Sequence, residues 1–447
     1  MKFKYIFIIL FITSCKTNVE YTKDIPEWSK NSVMYEVNIR QFSPEGTFNA
    51  FSEHLPRIKE MGVDIIWLMP IHSIGEENRK GTLGSYYSVK DYKSINSEFG
   101  TKDDFRNLVN KIHELDMKII IDWVANHSSF DNIWVKNGNL DWYNLDSLGK
   151  LQPPSGTDWW DVADLNFDNI EMKQEMIESM KYWVQEFQID GFRCDVADWV
   201  PISFWDTCRM ELDRIKDVFM LAEAETPELH DKAFDMTYAW EFHFIMNDVA
   251  NSKKDVTDII RYIDSTKQKF DFEDYRLQFI SNHDENSWKG YAKERLGDAV
   301  KTFSVLSVVM EGMPLLYNGQ EANLQKRLEF FEKDTISWED TSLYDFYKQL
   351  FHFKKENEAL WNGNYGGPIE ILSDREDTKG LAFLREKNEN KVLSLFNLSS
   401  DTINLKINSE NITDHYTRLF TKDKENLENI YEVTMLPWEF RIFTNNK

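Results

Sequence analysis

The chain has 447 residues, 42% of them hydrophobic, and a net charge of −24. It is too long for one small domain and too apolar for a disordered chain, so a large core and an accessory unit are expected. The negative charge repels phosphate backbones, which argues against nucleic acid as a partner and leaves a neutral substrate open.

The N-terminus starts Met1-Lys2-Phe3-Lys4, stays apolar through 5–12 and reaches Thr13-Ser14-Cys15. Basic, apolar and small-residue segments in that order read as an export signal, and the apolar stretch is too short to span a bilayer. Ile12-Thr13-Ser14-Cys15 resembles a bacterial lipobox, which makes Cys15 the lipidated first residue of the mature protein. The expectation is an exported lipoprotein held in the outer membrane, periplasmic or on the cell surface, with residues 16–27 as a polar tether. Cys194 and Cys208 then remain, too few for a disulfide framework and best read as small buried apolar side chains.

Eight short apolar, β-branched runs follow, at 33–39, 63–69, 118–123, 189–195, 218–223, 233–237, 277–282 and 313–318. Between them, helices are predicted at 49–61, 102–115, 170–187, 202–216, 289–309 and 342–357. In the third helix Met172, Met176, Met180, Trp183 and Phe187 share one face, a core stripe. Alternating strands and helices imply a parallel sheet, and eight units imply a closed (β/α)8 TIM barrel of the α/β class. A segment at 128–164, rich in Asn, Asp, Gly, Pro and Trp, is too long for a simple crossover and reads as an inserted domain. Later runs at 369–372, 382–385, 391–397, 402–407, 417–420, 431–435 and 440–443 are short and separated by polar turns, which predicts a C-terminal antiparallel β-sandwich. The expected organisation is a barrel over 28–127 and 165–358, the insert at 128–164 and the sandwich at 359–447.

Barrels of this kind place reactive groups at the C-terminal ends of their strands. Here the third run leads into Asp122-Trp123-Val124-Ala125-Asn126-His127, and the fourth is Gly191-Phe192-Arg193-Cys194-Asp195. The fifth ends Leu221-Ala222-Glu223 and the seventh Ser281-Asn282-His283-Asp284. A single acid there often caps the next helix, but four strand ends so equipped exceed what capping explains. Glycosidic cleavage asks for such a set: one carboxyl to protonate the leaving oxygen and a second carboxylate at the ring. A neighbouring Arg keeps the second ionised. Glu225, two residues past Glu223, would point the same way on a strand, and either lines the groove or caps a helix.

In order and spacing these segments resemble the signatures of the α-amylase family, glycoside hydrolase family 13, from about residue 28 to the C-terminus. Asp164-Leu165-Asn166 resembles the family's short fifth signature. The resemblance implies Asp195 as nucleophile, Glu223 as general acid/base and Asp284 as transition-state stabiliser. It also implies that Arg193 orients Asp195, that His127 and His283 bind hydroxyls of the same sugar, that Tyr87 forms an aromatic platform beneath it, and that Asp122 is structural. The implied reaction is retaining hydrolysis of α-1,4-glucosidic bonds, with α-1,6 bonds as a second linkage, in starch-, glycogen- or maltodextrin-type glucans.

That chemistry needs no cofactor. The family often holds calcium where Asn126, Asp164 and Asn166 lie here, and hydrogen bonding of the insert is the other reading of these three residues. Many members carry Lys-His three and four residues after the nucleophile, where this chain has Asp198 and Trp199. Asp195-Val196-Ala197 is similar to the cyclomaltodextrinase and neopullulanase branch. Two alternatives stay open: a transglycosylase on the same site, and a non-catalytic glucan-binding protein, which would be expected to lose the carboxylates kept here.

Overall fold

Strands buried on both faces read as continuous apolar runs, and each of the eight runs contributes one. They are Met34–Val37, Ile65–Leu68, Lys118–Trp123, Gly191–Cys194, Phe219–Ala222, Met236–Tyr238, Tyr275–Gln278 and Met313–Tyr317. In the computed structural model, which describes residues 21 and 23–446, they close into one parallel barrel. The first strand pairs with both the second and the eighth. Cys15 and the predicted export signal lie outside the described residues.

Side chains alternate along each strand. Met34, Ile65, Trp67, Ile120, Leu221, Met236, Leu277 and Met313 fill the barrel interior. Residues of the opposite phase, such as Tyr35, Ile66, Ile121 and Phe192, pack against the helices. The inward phase also carries Glu36, Asp122, Arg193 and Tyr238, each two residues above Met34, Ile120, Gly191 and Met236. A polar layer therefore sits directly over the apolar filling, at the C-terminal end of the barrel. Gly191 is required where it stands, because a Cβ there would lie 1.9 Å from the Phe219 carbonyl oxygen.

The helices differ from expectation where Pro and Gly intervene. The stretch predicted at 49–61 divides into Phe48–Ser52 and Leu55–Glu60, since Pro56 is tolerated only in a first turn. The stretch at 289–309 divides into Ala292–Leu296 and Val300–Val309, with Gly297 at φ 55° between them. Two helices absent from the prediction, Trp240–Ala250 and Val256–Lys269, join the sixth and seventh strands. The second of them starts in a capping box between Asp255 and Asp258, a signal present in the sequence.

Two loops rise over the barrel mouth. His127–Ser129 pairs antiparallel with Val162–Asp164, and Ser73–Ile74 pairs with Val89–Asp91 in the loop that carries Tyr87. At the C-terminus six strands form one antiparallel sheet, and Ile403–Asn408 pairs with Ile430–Met435 in a second. Leu384, Leu393, Leu395, Leu405, Ile407 and Met435 share the core between them. The polar strand Lys424–Leu427 is not among those predicted. Arg385, fully buried, docks the sandwich on the barrel by donating to the carbonyls of Val309, Met310, Gly367 and Trp361 at 2.7–3.2 Å.

The expected tether over 16–27 is not free along its described part. Ile25 packs against the barrel's interior cluster, and the Trp28 ring lies 5.6 Å from that of Phe219 at the start of the fifth strand. Tyr21 bonds Asp213, Lys23 donates to the Phe234 carbonyl, and the Asp24 carbonyl accepts from Arg209 at 3.2 Å. The segment covers the barrel floor because apolar Ile25 and Trp28 gain burial there; its charges conceal this in the sequence. Among the described residues no helix is long and apolar enough to cross a membrane.

Candidate active site

Arg193 lies at the centre of the polar layer with no exposed surface. Its Nη1 donates to Asp122 Oδ1 at 2.9 Å and to Asp195 Oδ1 at 3.0 Å, and its Nη2 lies 2.9 Å from Glu223 Oε2. Its Nε donates to the Tyr238 hydroxyl at 3.2 Å. Three acids on one cation leave negative charge in excess, and little water reaches them. Burial therefore raises all three carboxyls against the pull of Arg193, Asp122 and Asp195 to about 6 and Glu223 to about 7.

The backbone locks two of these acids together. Val196 N–H donates to Glu223 Oε2 at 2.9 Å, Ala197 N–H to the Glu223 carbonyl at 3.2 Å, and Glu223 N–H to the Cys194 carbonyl at 3.0 Å. This geometry holds Val196 at φ 38°, ψ 49°, a left-handed conformation that β-branched residues avoid. The strain, on the order of 1–3 kcal/mol, is stored beside the acids it positions.

The other predicted residues surround this core. His283 Nε2 lies 2.7 Å from the Tyr87 hydroxyl, and the two rings stack at 5.5 Å. Asp284, 37% exposed, is the most open of the predicted catalytic acids, and its Oδ2 lies 3.4 Å from His283 Nε2. Asp122 Oδ2 accepts from both Tyr87 and Trp67 at 3.2 Å, so this acid is a buried hub under the site. His127 is buried, which lowers its imidazole to about 3 and leaves it neutral. Its ring lies 5.4 Å from Trp159, which stacks at 5.3 Å on the half-exposed Trp199.

Glu225 turns away from the mouth. It accepts from Glu241 N–H at 3.0 Å, capping the helix Trp240–Ala250, and pairs with Arg276 at 2.6 Å. Asn126, Asp164 and Asn166 are held by loop hydrogen bonds. Asn126 reaches His127 Nδ1 at 3.2 Å, Asp164 accepts from Asn144 at 2.8 Å, and Asn166 donates to the Asp141 carbonyl at 3.2 Å. Glu36 and Tyr238 belong to the site although neither is among the predicted residues. Glu36 Oε1 meets His283 Nδ1 at 2.5 Å. Its signal was a lone acid inside an apolar run, in phase with Met34; Tyr238 lay one residue past the run predicted for its strand.

A family model of the α-amylase catalytic domain matches residues 11–339. The chain belongs to the α-amylase family. Alpha-amylase 2 of Dictyoglomus thermophilum is 27% identical over 415 residues, covering 84% of this chain and 70% of that protein. A cyclomaltodextrinase of a Bacillus species is 23% identical, covering 83% and 73%. The crystal structure of a maltogenic α-amylase from Thermotoga neapolitana superposes with a TM-score of 0.85 at 28% identity, covering 94% of this chain and all of that one. As a member of the α-amylase family, the protein is a glycoside hydrolase.

Proposed function

We propose that this α-amylase-family enzyme hydrolyses α-1,4-glucosidic bonds in maltodextrin-type glucans with retention, with α-1,6 bonds as a second linkage. The observation that carries the reading is the sharing of Arg193 by Asp195 and Glu223. Two carboxyls on one guanidinium favour the close spacing of retaining enzymes, about 5–5.5 Å, over the wider spacing of inverting ones. Asp195 attacks the anomeric carbon while Glu223 gives its proton to the leaving oxygen. Glu223 then takes a proton from water, and the hydroxide equivalent displaces Asp195. Asp284, His283 and His127 hold the sugar's hydroxyls over the Tyr87 ring. The surplus negative charge stabilises the cationic transition state. Relatives named maltogenic amylase and cyclomaltodextrinase support short malto-oligosaccharides as substrates. Export and a lipid anchor at Cys15 in the outer membrane complete the proposal, and fractionation of a Cys15→Ser variant tests that part.

Product analysis on maltoheptaose, pullulan and panose tests the function, with Asp195→Asn as control. Wild type releases oligosaccharides, the α-anomer appears first by NMR, and the control is silent. Folded wild type that releases nothing overturns the reading, and a β-anomer appearing first overturns retention. The profile of kcat/KM against pH is expected to be a narrow bell. Its acid limb, near 6, is the ionisation of Asp195, and its alkaline limb, near 7, is loss of the Glu223 proton, both as macroscopic values of the cluster.

The chemistry needs no cofactor. Calcium would fall to Asn126, Asp164 and Asn166, of which one is a carboxylate, and all three side chains are engaged in hydrogen bonds of the loop. EDTA is expected to leave activity and melting temperature unchanged. A melting temperature that rises several degrees on adding calcium would reverse this assignment.

A further inference from the structure

We propose that Glu36 is a positioning residue for the reaction: by accepting from His283 Nδ1 it holds the imidazole as a cation, and through that cation it fixes the Tyr87 platform. The proposal rests on the reading of His283 and Tyr87 as sugar-binding groups. Glu36 is fully buried on the first strand and reaches His283, in the loop after the seventh, at 2.5 Å. His283 is the hydrogen-bond partner of its side chain, and its other oxygen, Oε2, has none. A buried carboxylate oxygen left unpaired is unfavourable, and nothing in the packing of the strand calls for an acid between Tyr35 and Val37.

A cationic imidazole uses every contact in the row from Glu36 to Asp122. With the Tyr87 hydroxyl donating to Asp122 Oδ2 at 3.2 Å, its oxygen accepts from His283 Nε2 at 2.7 Å. On the other side of the ring, a carboxylate can only accept, so Nδ1 must carry a hydrogen. In that order both ring nitrogens bear hydrogens, and all three contacts along Glu36, His283, Tyr87 and Asp122 are used.

The charges around the ring agree. Burial alone would lower the imidazole, but Asp284 and Glu36 outweigh it and the opposing Arg193, and His283 is raised to about 9. Burial raises the Glu36 carboxyl, with His283 and Arg193 pulling it down. Asp122 faces the ring from the third strand, and Tyr238 and Tyr317 face Glu36 from the sixth and eighth. Asp284 opens to solvent and, in the proposed mechanism, is the acid that turns to the sugar's hydroxyls. Glu36 is the counter-charge that stays behind the ring throughout the cycle.

The test uses the full-length protein with labelled histidine, and His283→Gln to assign the resonance. In wild type the His283 imidazole is expected to titrate near 9. In Glu36→Gln it falls toward its unperturbed value of about 6.5, and its deprotonation then adds to that of Glu223 on the alkaline limb of kcat/KM, moving the limb down. At that value the imidazole is about one-quarter protonated at pH 7 and about nine-tenths at pH 5.5, so the loss is about fourfold at pH 7 and slight at pH 5.5. A wild-type His283 that titrates at or below about 6.5, its unperturbed value, overturns the proposal without any variant. So does a folded Glu36→Gln variant whose imidazole titration is unchanged, or whose activity drops equally at every pH. The titration needs no substrate, so an inactive wild type would refute the proposed function while the Glu36 proposal remained decidable.

Discussion

Replacing Glu223 with Gln is expected to lower kcat/KM on maltoheptaose by about 10²–10⁴-fold, the usual contribution of a positioned proton donor. Gln keeps the size of the side chain, and its carbonyl can still accept from Val196 N–H, so the backbone lock of the wild-type acid is preserved. In the proposed mechanism, what disappears is the proton for the leaving oxygen and, in the second step, the base for water. An aryl α-maltoside with an acidic phenol leaves without help, so its first step should be nearly spared. The glycosyl-enzyme should then accumulate, and azide, which needs no base, should restore turnover. The alkaline limb near pH 7 should vanish with the carboxyl that produces it. Equal losses on the glucan and the aryl substrate, with no rescue by azide, would give Glu223 some role other than proton transfer.

Replacing Arg193 with Met should destabilise the fold by about 3–5 kcal/mol at neutral pH, the usual result of removing one partner from a buried ionic cluster. Here the orphaned partners are three acids, Asp122, Asp195 and Glu223. Burial already raises their folded-state pKa values above the ordinary carboxyl range, and Arg193 opposes that rise in each. A carboxyl whose pKa is higher folded than unfolded holds a proton that the unfolded chain gives up. Its favourable contribution is complete below about pH 4 and is lost as pH climbs through the folded value. Wild type should therefore lose some stability between about pH 4 and 7 from this cluster, and Arg193→Met should lose much more, over a window that extends higher. Urea unfolding at pH 4.5 and 7.5 measures this, with a larger deficit expected at 7.5. Arg193→Lys, which keeps the charge, should recover part of it. A deficit independent of pH would mean that Arg193 contributes packing rather than charge.

Much of the site was legible because strand ends are local features. Asp122, Arg193, Asp195 and Glu223 stand at or just beyond the C-terminal ends of apolar runs, and a parallel barrel brings all such ends to one face. Glu36 met the same criterion on the first strand. It went unassigned because a single acid in a strand has no meaning until its partner is known, and that partner is 247 residues away. Glu225 shows the converse. Its spacing from Glu223 allowed it to share the groove, but the chain leaves the strand at Ala222 and turns the side chain toward Arg276 and a helix end.

By itself the sequence determined the barrel, the C-terminal sandwich and the positions of the acids. Each is written in short-range patterns: β-branched runs, helical stripes such as Met172 to Phe187, and the period of two that aims strand residues inward. Only the tertiary structure decided how charge is shared among those residues. It placed one guanidinium under three carboxyls, set an unassigned glutamate behind His283, and laid residues 21 and 23–28 across the barrel floor. Protonation and docking depend on distances between groups far apart in the chain and on how much water reaches them, and both exist only once the barrel has closed.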